Sequence, residues 1–422
     1  MRIIFLQRFT PKSAYGGAEV SAWHIARGLV RLGHQVEIFC EGERYNKNNN
    51  PSLSARLKTY KKNKIMVHPI PGLFGRNVLT LEKLWAKKQA KILKKYLPKK
   101  FDILHSHDQH SLLINAELNT NTKQFHTVRD YTPICGYNHL KIDNSICHKC
   151  SLQNFKTCPK IIYGNLLQKP LRVLRFLTTI PYHQQCLSKL DGVIFISHFL
   201  KQEILKSSNW RNKIPKPVHT TVIYNPVPEW GADELHFQNS SLKQSTNTNL
   251  LFVGRLEKHK GLSILLKAFR KLNKNFNLVI IGQGNLEYYK NFAKKLKLDP
   301  QHLQFLGQVP HHLMPDIYKK SDILISPHLW PEPFGRTIIE AMFFGKIVIA
   351  SDLGGPREII QSGVNGFLVP SGDPSALRKK IMEIAQDINL QEQIKKQAVH
   401  TVLHRFTPRK IAENYLEFYQ KS

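Results

Sequence analysis

The 422-residue chain is long enough for two or three domains, and a 41% hydrophobic content fits a soluble globular protein with ample core. No run approaches the roughly 18 apolar residues of a membrane span, and charge breaks the opening Met1-Arg2-Ile3-Ile4-Phe5-Leu6-Gln7-Arg8 too soon for a signal peptide, so a cytosolic chain is expected. The formal net charge of +32 calls for an anionic partner, be it nucleic acid, the anionic cytoplasmic leaflet or an acidic substrate, unless it reflects a lysine-rich proteome.

The first strand leads through Gly16-Gly17-Ala18-Glu19 into a helix with Ala22, Ile25, Leu29 and Leu32 on one stripe, closed by Gly33, and then into strand Val36-Glu37-Ile38-Phe39. This is a βαβ unit with a glycine pair at a helix N-terminus, a place suited to an anion and equally to a tight turn. Residues 42–100 read as a lysine-rich loop followed by a helix around Leu81 to Leu97. Phe101 to Asp108 and Gln124 to Tyr131 read as strands that end in polar residues, where open α/β sheets bind ligands. An insertion at 131–190 carries Cys135, Cys147, Cys150 and Cys158, which suit either a structural zinc site or unbridged thiols. Within it, Pro170 to Leu190 forms an amphipathic pattern, with Leu171, Leu174 and Leu177 on one face and Arg172 and Arg175 on another. Such a helix either docks on anionic lipid or covers its own core. Asp191 to Ser197 is a further strand, residues 1–225 form a first domain, and the polar stretch 226–249 reads as the linker.

The second half repeats the alternation, with strands at Leu250–Val253, Leu278–Ile281, Leu303–Leu306, Asp322–Ser326, Ile347–Ala350 and Phe367–Val369. Two doubly wound parallel sheets facing each other are therefore expected, the second over 250–405, with a C-terminal helix at 406–422 expected to pack back on the first domain. Arg255 and Lys260, in Val253-Gly254-Arg255-Leu256-Glu257-Lys258-His259-Lys260-Gly261, lie near a helix N-terminus, where the macrodipole opposes a cation. Arg336 repeats the anomaly in Pro331-Glu332-Pro333-Phe334-Gly335-Arg336-Thr337-Ile338-Ile339-Glu340. A diphosphate bound among them would reconcile both, whereas Glu332 and Glu340 need neutral hydroxyl donors; a nucleotide-sugar offers both chemistries. The plain alternative is a proline turn, two solvated glutamates and exposed basic residues in a basic protein.

Taken together, these stretches resemble the retaining glycosyltransferases of the GT-B fold known as family 4. The specific part is Glu332-x7-Glu340 within Pro-Glu-Pro-Phe-Gly, joined to Gly254-Arg255-Leu256, Lys260-Gly261 and Gly16-Gly17-Ala18-Glu19. The resemblance implies two Rossmann-like domains facing across a cleft, with the UDP- or GDP-linked donor on the second and the acceptor on the first. It implies that Arg255 and Lys260 bind the diphosphate, that Glu332 holds sugar hydroxyls and that Glu340 takes the ribose diol. Phe334, Gly335, Arg336 and Thr337 would line the phosphate and sugar, Gly254 the donor, and Gly282 and Val309 the base, with Gly16 and Gly17 approaching from the other domain. No Asp-x-Asp metal motif occurs, so fixed cations and helix N-termini are expected to replace a divalent ion and no cofactor is required for catalysis.

One position departs from the pattern. Many relatives carry a histidine after the third strand of the first domain, in a Thr-x-His-Asp or Phe-His-Thr context. Here the first register places Arg129 there, followed by Asp130 and Tyr131, and the second places His126. The Thr127-Val128-Arg129-Asp130-Tyr131 register is preferred. The function expected is transfer of a hexosyl unit to a glycan or lipid-linked acceptor with retention, in the cytoplasm or at the inner face of the membrane. An epimerase on the same fold would need more acid and base groups, and a nucleic-acid binder would need its basic and aromatic residues interleaved on one element.

Overall fold

Apolar runs such as Ile3-Ile4-Phe5-Leu6, with no exposed face, become strands covered on both sides by helices. The computed structural model describes residues 1–9, 17–41, 59–74, 82–135, 141–142, 145–146, 169–207, 218–230, 247–272 and 274–422. Two units result, Met1–Pro226 with Pro408–Ser422, and Val227–Thr407.

In the first unit the strands are β1 (Arg2–Leu6), β2 (Gln35–Cys40), β3 (Tyr60–Lys62), β4 (Ile65–Pro69), β5 (Ile103–Ser106), β6 (Lys123–Val128), the short hairpin β7 (Lys141–Ile142) and β8 (Ser145–Ile146), β9 (Gly192–Phe195) and β10 (His219–Val222). Eight of them make one sheet in the order β10-β9-β6-β5-β1-β2-β4-β3, parallel except for the β3–β4 pair. That pair lies in the segment expected to be loop. Asn63 and Lys64, both at positive φ, make a two-residue turn whose twist suits a hairpin. Ile65 and Val67 are buried while Lys61 and Lys62 stay exposed on the edge, so the apolar signal is too short to stand out.

The helix Gly17–Arg31 buries Ala22, Ile25 and Leu29, with Leu32 packed at the margin of the same core. Against it lies the terminal helix Pro408–Lys421, whose Ile411, Ala412, Tyr415 and Tyr419 join the core formed by Ile3, Phe5 and Ile25. Close approach demands a glycine at the crossing: a Cβ on Gly28 would fall 2.5 Å from the Pro408 carbonyl oxygen.

The second unit contains β11 (Thr248–Val253), β12 (Phe276–Ile281), β13 (Leu303–Gly307), β14 (Ile323–Ser326), β15 (Ile347–Ser351) and β16 (Phe367–Val369), all parallel, in the order β13-β12-β11-β14-β15-β16. The chain reverses its direction of winding between β11 and β14, and ligands of such sheets bind outside the carboxyl ends of the strands at that point. The linker expected at 226–249 is shortened at both ends. The Val227 N–H donates to the Phe406 carbonyl, the Trp230 ring stacks on His311, and β11 already begins at Thr248, while 231–246 lie outside the described residues.

Gly28→Ala should lower stability by about 1–3 kcal/mol, the cost of forcing extra volume into a packed contact. Urea denaturation followed by circular dichroism reads it, and an unchanged midpoint would show that the terminal helix is not seated there.

Candidate functional site

After β11 the chain runs through Gly254 and Arg255 into a single turn, Lys258–Lys260, and then into the helix Leu262–Phe269. Gly261 joins the two at φ 76°, and a Cβ there would lie 1.7 Å from the Pro327 carbonyl oxygen. This contact sets the turn directly against the loop that leaves β14. Lys260 Nζ consequently donates to Glu332 Oε2 at 2.6 Å, and His328 Nε2 lies 3.3 Å from the same oxygen. The Lys260 ammonium also sits 4.9 Å from the centre of the Trp330 ring. On its other side the Glu332 backbone is pinned, its carbonyl accepting the Gly355 N–H at 2.7 Å.

Burial pushes the Glu332 carboxyl up, but Lys260 and His328 outweigh it and hold the group down at about 2. Burial likewise holds the His328 ring at about 4, against the pull of Glu332. Near neutral pH the constellation is therefore an ammonium, a carboxylate and an uncharged imidazole.

Gly335, at φ 108°, turns the chain into the helix Arg336–Phe343. Arg336 Nη2 donates to Glu340 Oε1 at 2.7 Å, one turn along, and the Tyr318 hydroxyl donates to Oε2 at 2.9 Å. His311 Nε2 is 3.8 Å from Oε1. Burial raises the Glu340 carboxyl, and Arg336 with His311 and Tyr318 brings it down to about 2.

These pairs correct the picture of cations aimed at an anion and glutamates open to alcohols. In the protein alone Lys260 and Arg336 each neutralise a glutamate, because unpaired charges of opposite sign a few ångströms apart in a sheltered site attract strongly. Arg255 is paired as well, its Nη1 donating to Glu257 Oε1 at 3.0 Å, but its side chain is 60% exposed. Phe334 is corrected too. The residue is 2% exposed and its ring packs edge-on against Phe406, in the core and not on the site's surface. Thr337 is half-buried on the same helix. Gly254 and Gly282 follow β11 and β12, with the Gly254 N–H donating to the Ile281 carbonyl and the Gly282 N–H to Gly307; Val309 lies two residues beyond. His328, Trp330, His311 and Tyr318 were not marked in the sequence. The His328-x3-Glu332 spacing is a signal that could have found the first of them.

In the first unit Arg129 immediately follows β6. It donates to Asn225 Oδ1, lies 3.2 Å through Nη2 from His107 Nδ1, and hydrogen-bonds Tyr415. His126 sits inside β6, its Nδ1 2.9 Å from Ser106 Oγ, and burial with Arg129 nearby lowers it to about 3. Both residues line one cavity of about 50 Å³ together with His107, Asp108, Asp130 and His183. Gly17 opens the first helix, and Gly16 lies outside the described residues. Cys135 is buried with its thiol unbridged, whereas Cys147, Cys150 and Cys158 lie outside the described residues; among the described residues no cluster of His, Cys, Asp or Glu could hold a metal ion.

Two Rossmann-like units, the second with paired acidic and basic groups at the winding reversal of its sheet, define a GT-B protein. The family model "Glycosyltransferase Family 4" matches residues 15–229 and "Glycosyl transferases group 1" matches 233–401, so the chain belongs to glycosyltransferase family 4. An uncharacterized glycosyltransferase of Methanocaldococcus jannaschii is 25% identical over 431 residues, covering 100% of this chain and 98% of its own length. A phosphatidyl-myo-inositol mannosyltransferase of Mycobacterium leprae is 35% identical over 147 residues, 34% of this chain and 38% of its own. Among solved structures, Anabaena HepE in complex with UDP aligns over 100% of both chains at TM-score 0.67 and 20% identity. Sucrose-phosphate synthase of Thermosynechococcus elongatus aligns over 100% of this chain and 99% of its own at TM-score 0.70 and 20% identity.

The buried rings predict an acid-labile fold. His126 and His328, held at about 3 and 4, stay neutral in the fold but take up protons near 6.5 once unfolded. Stability should therefore fall as pH drops below about 6.5, by about 1.4 kcal/mol per pH unit for each ring. Glu332 and Glu340, depressed from 4.5 to about 2, stabilise the fold above 4.5 and add a second loss between there and about 2. Urea titrations at pH 7, 6 and 5 check the first phase, and equal stabilities across that range would contradict it.

Proposed function

We propose that this glycosyltransferase moves a hexosyl unit from a UDP- or GDP-linked sugar to a glycan or lipid-linked acceptor, with retention at the anomeric carbon. The observation that carries the reading is the Lys260–Glu332 contact, supported by His328, at the winding reversal of the second sheet. Complexes of the structural neighbour HepE with UDP and with UDP-glucose lend support to a nucleotide-sugar donor.

On this reading donor binding exchanges partners. Lys260 and Arg336 turn from their glutamates to diphosphate oxygens, joined by Arg255 and by the exposed amides at the start of the helix Arg336–Phe343. Glu332 then accepts sugar hydroxyls and Glu340 the ribose diol, so each carboxylate replaces an ionic partner with neutral donors. Gly254, Gly282 and Val309 border the nucleoside, and Gly335 and Thr337 the phosphates. The bond from the anomeric carbon to the phosphate oxygen breaks while a bond to the acceptor oxygen forms on the same face. The acceptor proton passes to the departing phosphate oxygen. Cations fixed in place stabilise the charge that develops there, and the reading requires no divalent ion. The first unit holds the acceptor, with Arg129 and His126 at its cavity.

Lys260→Ala and Glu332→Ala should each lower donor hydrolysis or transfer by about 10²–10³-fold, the scale for losing one group that stabilises developing charge, with circular dichroism unchanged. Two variants with wild-type turnover would reject the site. Turnover should survive excess EDTA, and proton NMR of the product should show the donor's anomeric configuration. An inverted anomer would reject retention while leaving the donor site standing.

A further inference from the structure

The helix Glu82–Lys94 has two faces of unlike chemistry. Glu82, Ala86, Gln89, Ala90 and Leu93 are buried in the first unit, with Glu82 receiving His183 at 3.1 Å. Lys83, Leu84, Lys87, Lys88, Lys91 and Lys94 are exposed. At 3.6 residues per turn those six fall within an arc of about 140°, so the exposed face is basic along the full length of the helix. Lys95, Tyr96, Lys99 and Lys100 continue it, all exposed. No acidic residue occurs between Glu82 and Asp102, which means nothing within the segment offsets this charge. Leu84 and Tyr96 are 60% and 58% exposed, and each places apolar surface among the lysines.

We propose that this face docks the protein on an anionic lipid bilayer. A row of ammonium groups on flexible stems suits a plane of phosphate and carboxylate headgroups, and each lysine near such a surface adds attraction. Leu84 and Tyr96 reach past the headgroups toward the acyl boundary, a contact that a nucleic-acid backbone does not offer. The stretch Pro170 to Leu190, which shared this expectation in the sequence, fits less well. In its described half Ile180, Tyr182, His183, Cys186 and Leu187 are buried in the protein. Among the described residues no helix is long and apolar enough to cross a membrane, so the contact is superficial. This inference stands apart from the transfer reading, since none of these lysines belongs to the donor site.

Vesicle flotation of the full chain tests it, with phosphatidylcholine alone and with about one-third phosphatidylglycerol, in about 0.1 M salt where charges act over about 10 Å. The protein should float with the anionic vesicles only. At about fivefold per lysine, K83Q/K87Q/K88Q/K91Q should weaken binding by more than a hundredfold, and Leu84→Ser should weaken it further at higher salt. K294Q/K295Q/K379Q/K396Q removes the same charge from exposed lysines of the second unit and should change binding little. Equal losses in the two quadruple variants would overturn the proposal, leaving net charge as the cause. No binding to anionic vesicles, or displacement from them by a DNA duplex at equal phosphate, would overturn it as well. Nucleotide binding measured by calorimetry should be the same in both variants, which separates a failure here from a failure of the donor site.

Discussion

An ammonium held 2.6 Å from a carboxylate, Lys260 against Glu332, ties together the two loops that leave β11 and β14. Both side chains are only 15% exposed, so each would suffer a desolvation penalty without the other. Removing one partner from such a pair typically costs about 3–5 kcal/mol because the remaining charge is stranded. The pair is therefore a lock on the loop geometry. Gly261 makes the lock attainable by letting the Lys258–Lys260 turn touch the Pro327 carbonyl. His328 and Trp330, from the same loop, flank the pair.

The second pair, Arg336 with Glu340, repeats the arrangement one helix turn apart, with the Tyr318 hydroxyl completing the carboxylate. In each pair a cation and a carboxylate satisfy one another within hydrogen-bond distance. A ligand that supplies both negative charge and hydroxyl donors satisfies all four groups at once. An inorganic anion satisfies only the cations and strands the carboxylates, and a neutral sugar does the reverse. On the proposed reading, selectivity for a compound carrying both features would follow from how the charges are paired.

Much of this was legible in the sequence. Runs such as Leu250–Val253 and Ile347–Ala350 are apolar on both faces because their sheet is covered on both sides, and they stand out without help from neighbouring chain. The stretch Pro331 to Glu340 was legible because loop, cap and helix are contiguous there. Tyr318, His311 and His328 were not, since what gives them a role is a meeting of separate loops decided by sheet order. The hairpin β3–β4 escaped notice because an edge strand protected by Lys61 and Lys62 resembles a polar loop. Phe334 misled in the opposite sense, as a residue inside a functional motif whose ring serves the core through Phe406.

The return of the helix Pro408–Lys421 to the first unit bears on how the chain is made. The second unit is drawn from one uninterrupted stretch, Val227–Thr407, whereas the first combines Met1–Pro226 with Pro408–Ser422. The first unit's core is complete only once Tyr415 and Tyr419, nearly two hundred residues after its main stretch, have joined it. Domains ordinarily mature from the amino end onward; here the half begun first is finished last. Until that helix docks, the face of the first helix that carries Gly28 lacks its apolar cover.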